Sequence, residues 1–308
     1  VIGRPVVLLA ALGAAGAALA AQAPVQGQPP SPGPKLQTFR AVTASVAVDV
    51  VVLRGRSPVG GLTPKDFALT DNGVPQQIDS VSSAQLPIDV SLAIDVSGSV
   101  ISNFKAFKTE VRRFARMLRP TDRIRIVAFG TNVVEAVRMR PAGDELDLDA
   151  LETQEVTSLN DALLYTLLWP AGEQRRHLVI VLTDGVDTVS TMSGAAVVAA
   201  AARVEAVVHA LLVPPVSEPT VLWQRRSVDA IRELAFNTGG NIHTLKQASH
   251  DFKEIVDDFR SGYVLRFTPD KVAADGLHEL SVTIARPNAN RYTVRARKSY
   301  IGDRKDER

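Results

Sequence analysis

The chain has 308 residues, 45% hydrophobic and 22% charged, with 35 Lys+Arg against 33 Asp+Glu and no cysteine. That apolar content excludes a wholly disordered chain, and the near balance of charge gives no global reason to expect nucleic acid or an anionic membrane as partner. Without cysteine there are no disulfides, thiolate metal sites, iron–sulfur clusters or cysteine nucleophiles, so any metal must be held by oxygen or imidazole.

Val6 to Ala20 is an apolar run of 15 residues that follows a single charge, Arg4. It has the length of a signal-peptide core and falls short of the roughly 20 residues a membrane span needs. Ala18-Leu19-Ala20 and Ala21-Gln22-Ala23 both fit the small-residue cleavage pattern. Residues 1–23 are predicted to be an export signal, which places the mature protein in the periplasm or outside the cell with no membrane span; the alternative is an uncleaved anchor. Residues 24–37, rich in Pro, Gly and Gln, read as an extended linker.

Residues 38–86 are predicted to be a small β unit of two to four strands. Val42 to Leu53 alternates Val and Ala with Thr, Ser and Asp, and Asn72-Gly73 marks a hairpin turn. From Ile88 the pattern changes. IDVSLAID over 88–95 and HLVIVLT over 177–183 are apolar runs of the kind buried on both sheet faces. Strands are also predicted at 124–129, 132–139, 206–213 and 242–245. Helices are predicted at 103–118, 160–169, 194–206, 228–236 and 252–259, with a Pro-rich loop at 214–227 whose Trp223 is a candidate contact residue. Alternation of this kind predicts an α/β domain over 87–261, doubly wound around a mostly parallel sheet. After Gly262 it stops, and three strands (263–267, 279–285 and 291–298) follow. Residues 262–300 are predicted to join 38–86 in one small, all-β, sandwich-like domain that the α/β domain is inserted into or flanked by. Two separate β appendages are the alternative. Residues 301–308 read as a charged, frayed tail.

Ligands of open α/β sheets bind at the carboxyl ends of the strands. Two buried strands end there in Asp. Asp95 opens Asp95-Val96-Ser97-Gly98-Ser99, whose alternate positions can turn three oxygens into one loop mouth, with Gly98 easing the turn. Asp184 lies in Leu182-Thr183-Asp184-Gly185, and Thr157 before the helix at Asn160 can add a hydroxyl.

Asp-x-Ser-x-Ser after a buried strand, Thr157 before a helix, and Thr-Asp-Gly after another buried strand together resemble the von Willebrand factor type A domain family. Residues 88–260 follow its strand and helix order. The flanking LTPKDFALTDNG and RARKSY resemble its bacterial secreted subgroup, the VWFA-related proteins. The resemblance implies a Rossmann-like fold and a metal-ion-dependent adhesion site formed by Asp95, Ser97, Ser99, Thr157 and Asp184. Val156 and Asn160 depart from residues frequent in the family, and neither departure removes a ligand.

Hydroxyls and carboxylates without cysteine or histidine suit Mg²⁺, with Mn²⁺ possible, and disfavour zinc. A cation with few direct charges stays electrophilic and favours an acidic residue from a protein ligand. The chain has no G-x-S-x-G, H-E-x-x-H or G-x-x-x-x-G-K-[ST], so a non-enzymatic adhesion or assembly module is expected. The alternatives are an assembly subunit that binds through its β domain without metal, and a metal-assisted hydrolase.

Overall fold

The computed structural model describes residues 45–83, 86–100, 104–149, 151–170, 172, 174–213 and 222–302. The predicted export signal and linker lie outside these residues, as do residues 303–308 of the predicted tail. Among the described residues no helix is long and apolar enough to cross a membrane.

Five strands come first: β1 (Val46–Arg54), β2 (Ser57–Pro58), β3 (Phe67–Asp71), β4 (Val74–Gln76) and β5 (Ile78–Ser83). This is one more than the upper expectation, the addition being the two-residue β2. β3 and β4 meet at Asn72-Gly73, where φ is 48° and 78°; two successive positive values suit the right-handed twist of a two-residue hairpin. The alternating section follows as β6 (Ile88–Asp95), α1 (Phe104–Met117), β7 (Arg123–Phe129), β8 (Val133–Pro141), α2 (Leu159–Leu167) and β9 (Arg176–Thr183). It continues with α3 (Gly194–Ala201), β10 (Ala206–Leu212), α4 (Leu222–Thr238), β11 (Ile242–Thr244) and α5 (Ala248–Arg260). The chain closes with β12 (Tyr263–Phe267), β13 (Gly276–Ile284), β14 (Tyr292–Ala296) and β15 (Ser299–Gly302).

Several boundaries differ from expectation, and three of the changes have a visible reason. α3 stops five residues short of Ala206, because the carbonyl of Ala202 accepts from Arg297 Nη2 at 2.7 Å and from the Ile301 amide at 2.8 Å. α4 starts at Leu222, inside the predicted loop, since no proline follows Pro219 to stop it. Trp223 is therefore a helical residue, and its side chain is outside the described set. The strand expected over 291–298 stops at Ala296 as β14, and a further strand, β15, follows from Ser299 in a different sheet. At the break, Lys298 turns its amide to the Asn237 carbonyl and its carbonyl to the Leu280 amide, both at 2.8 Å. Ile301 and Gly302, expected in the tail, belong to β15.

The result is a mixed α/β fold with several sheets. The largest has the order β11-β10-β9-β6-β7-β8, every pair parallel except β7 with β8. Val90, Leu92 and Ile94 of β6 pack with Phe114 of α1 and Phe252 and Phe259 of α5, while Ala93 packs with Leu163 of α2 and Ile231 of α4 on the other face. The remaining strands form two sheets, β14-β1-β12-β5 (with β2 on β1) and β15-β13-β3-β4. Both combine strands from before and after the alternating section, and their apolar faces share one cluster that includes Val50, Leu69, Leu265 and Val282.

One polar thread runs through the face under α2. Arg125, with no exposed surface, donates through Nε to Ser91 Oγ (2.9 Å) and through Nη2 to the Thr166 carbonyl (2.9 Å), and its guanidinium lies 4.5 Å from the Trp169 ring centre. Ser91 in turn meets His177 Nε2 at 2.8 Å. Burial, reinforced by the Arg125 charge, pushes the His177 pKa down to about 4, so the folded ring is neutral. A ring that is neutral when folded and protonates near 6.5 when unfolded stabilises the fold above that pH; the contribution is lost as pH falls from 6.5 towards 4. Between pH 7 and pH 5, His177→Gln should lose on the order of 2 kcal/mol less stability than wild type, measured by urea unfolding.

Candidate metal centre

The order of the large sheet reverses between β6 and β9, and at such a point adjacent strand ends leave a crevice. Asp95 closes β6, and Asp184 follows β9. Asp95 is fully buried: Oδ1 accepts the Ser97 amide at 3.0 Å, folding the loop back on the strand end, and Oδ2 accepts the Thr183 hydroxyl at 2.8 Å. Asp184 forms the equivalent turn, its Oδ1 accepting the Val186 amide at 3.0 Å. The two loops then meet. Ser97 Oγ is 3.1 Å from Ser99 Oγ, and Ser99 Oγ donates to Asp184 Oδ2 at 2.8 Å. Asp95 and Ser97 lie beneath, Ser99 is exposed and Asp184 half-buried, so the oxygen cluster opens outward on the Ser99–Asp184 side.

Thr157, 4% exposed, is placed through its backbone. Its amide donates to Thr188 Oγ1 at 2.8 Å. Its carbonyl accepts from Thr188 Oγ1 (3.1 Å), from the Thr188 amide (2.9 Å) and from the Val189 amide (3.2 Å). The loop before Thr157 is tied to the serine loop by a bridge between Ser97 and Gln154 and by the Gln154 amide, which reaches the Val96 carbonyl at 2.9 Å. All five predicted residues therefore sit on three loops that are bonded to one another.

Several supporting residues escaped sequence reasoning. Thr183 was visible only as a strand end. Asp187 stands three residues after Asp184, and its reach to α2 depends on tertiary folding. Its carboxylate accepts the Leu159 amide (2.9 Å), Asn160 Nδ2 (2.8 Å) and Ser190 Oγ (2.6 Å), bringing negative charge to the helix start. Ser158, at the capping position, makes no cap with its side chain. Gly98 does not have the left-handed backbone that would require glycine. Gly185 does, with φ of 84°, and a Cβ there would lie 2.7 Å from Val228 Cγ2.

Burial pushes the Asp95 carboxyl up to about 6, helped by the Asp184 charge and opposed by hydrogen bonds from Ser97 and Thr183. Among the described residues no three His, Asp or Glu converge as metal ligands, so hydroxyls must complete any donor set. The histidines lie elsewhere: besides His177, His209 pairs with His243 at 3.1 Å, His278 with Asp71 at 2.8 Å and His250 with Glu254 at 3.3 Å. Oxygen donors from two carboxylates and hydroxyls fit a hard divalent ion. Of the arginines on α1, Arg112 is occupied by Asp149 at 3.2 Å and the Leu146 carbonyl at 3.2 Å.

Comparison with known proteins places this site inside a matched region. The family model described as von Willebrand factor type A domain matches residues 89–258. Among solved structures, BatB from Bacteroides thetaiotaomicron is 19% identical, with 56% of this chain and 96% of that chain covered and a TM-score of 0.42. The ArnB paralog VWA2 from Sulfolobus acidocaldarius is 12% identical, with 84% and 76% covered and a TM-score of 0.44. A von Willebrand factor type A structure from Catenulispora acidiphila is 13% identical, with 77% and 72% covered and a TM-score of 0.42. No curated protein matches the chain.

Thr188→Val removes the acceptor of the Thr157 amide at nearly constant volume. Unfolding in urea should show a loss of about 1–2 kcal/mol, while Thr188→Ser, which keeps the hydroxyl, should stay close to wild type.

Proposed function

The chain belongs to the von Willebrand factor type A domain family, and from that premise we propose that it is a metal-dependent protein-binding module. In this reading Asp95, Ser97, Ser99, Thr157 and Asp184 hold a Mg²⁺ ion, with Mn²⁺ as a substitute. The supporting observation is the run of bonded oxygens from Ser97 through Ser99 to Asp184, set above a buried Asp95 carboxylate. A divalent cation held by these residues would supply a positive centre attractive to a carboxylate. The chain's own residues set its character. Asp95 contributes charge from beneath, where Thr183 and the Ser97 amide fix its orientation. Ser97 and Ser99 contribute neutral oxygens, which leave the cation attractive to an acidic residue of a protein ligand. Ser99 and Asp184 form the open side, so the ligand approaches there.

The role is adhesion or assembly, without catalysis. The protein is read as exported to the periplasm or cell exterior, on the strength of the apolar run at residues 6–20. Titration calorimetry with Mg²⁺ should show saturable binding to wild type and its loss in Asp95→Ala; equal affinity in both would sink the metal assignment. Pull-down of partners from the native secretome should succeed with Mg²⁺ and fail with EDTA. Capture that survives EDTA would favour an assembly subunit acting through its β strands.

A further inference from the structure

A second concave site lies at the other end of the large sheet. It is a cleft of about 440 Å³ where the start of β9 and the ends of α2 and α3 face β1 and β12. Ala47 and Asp49 of β1 and Val264 and Arg266 of β12 line it, alternating with the core residues Val48, Val50, Leu265 and Phe267 on the opposite face. Its charges are unbalanced: Arg175, Arg176, Arg203 and Arg266 stand against Asp49 and Glu205.

Two of these arginines are committed. Arg175 binds Asp89 Oδ1 at 2.5 Å together with the Ile88 and Thr121 carbonyls. Asp89 also holds Arg123, so its charge is shared. Arg176 pairs with Asp49 and donates to the Phe259 carbonyl at 3.0 Å. Arg203 and Arg266 are different. Both are exposed. Arg266 faces the Glu205 carboxylate electrostatically, and among the described residues neither arginine makes a side-chain hydrogen bond or close ion pair. The β12–β5 register shifts between Arg266 and Phe267, an irregularity of the kind that re-aims a side chain. Beside these cations stands an apolar wall of Trp169, Leu168 and Val204, with the Trp169 ring braced by Arg125. Leu168 is 56% exposed.

We propose that this cleft binds a small organic anion with a flat apolar body, its carboxylate or phosphate held by Arg203 and Arg266 and its body lying against Trp169 and Leu168. A surplus of guanidinium groups in a concave, partly desolvated space concentrates anions, and their planar donors match both head groups. An inorganic anion alone leaves the aromatic wall unused, and a cation meets the surplus positive charge.

The full chain should be titrated by calorimetry with naphthoate, naphthyl phosphate and neutral naphthamide, in Mg²⁺ and again in EDTA. At least one anion should bind saturably, with naphthamide weaker by about fivefold or more. The tighter of the two anions identifies the head group. Arg203→Ala and Arg266→Ala, both at exposed positions, should each weaken binding about fivefold, whereas Asp95→Ala and EDTA should leave it unchanged. The proposal is overturned by absence of saturable binding, by naphthamide binding as tightly as the anions, or by indifference to both arginine substitutions. Binding lost in EDTA or in Asp95→Ala would place the probe at the metal centre and overturn it equally.

Discussion

Strand β6 pairs in parallel with β7 on one side and with β9 on the other, and the site depends on that arrangement. Because all three strands run the same way, their carboxyl ends emerge on one edge. The Ile94–Leu182 register brings Asp95 level with Thr183, so the hydroxyl of one strand reaches the carboxylate of the next. Asp184 follows one residue later. A slip of one residue would turn Asp95 to the opposite face and leave a carboxylate among Val111 and Phe114 of the apolar cluster. Continuous burial of both faces, enforced by helices on each side, holds the register.

Above that edge, three loops are fixed to one another by hydrogen bonds. The Ser99–Asp184 bond, the Ser97–Gln154 bridge and the Thr188 clamp on Thr157 join them in a closed ring of contacts. Beneath the ring the Asp95 carboxylate is buried, and that burial raises its pKa. The proposed cation would offset the cost of that burial. At the opposite edge the chemistry is reversed, with a surplus of guanidinium groups and an aromatic wall. Between the two ends, α5 passes into β12 within two residues, and its last turn is joined to the β strands by Arg295–Asp258 and by Arg176, which holds Asp49 and the Phe259 carbonyl together.

Much of this was legible from residue order. IDVSLAID and HLVIVLT are β6 and β9 to within a residue, because a strand buried on both faces leaves a dense local signal. The alternation of strands and helices was equally plain. Supporting contacts were less so. Gly98 looked like the special glycine because it sits inside the motif, yet the left-handed backbone is at Gly185, where α4 presses against the loop. Asp187 receives the Leu159 amide at the start of α2 from another loop, a contact that residue order does not show. Trp223 looked like a loop residue because prolines precede it, and the helix starts sooner than the apolar spacing showed.

Taken by itself, the sequence determined the strand–helix order, the oxygen chemistry at two strand ends and the absence of any cysteine-based alternative, since each follows from local pattern or composition. Tertiary structure alone decided which loops hold one another, where the cluster opens to solvent, how strands from both ends of the chain share two sheets, and that four arginines gather at the far edge of the large sheet. Those outcomes rest on contacts between residues distant in the chain, such as Thr157 with Thr188 and Asp49 with Arg176. Local spacing carries no record of such pairs, because burial and strand register bring them together only when the whole sheet forms.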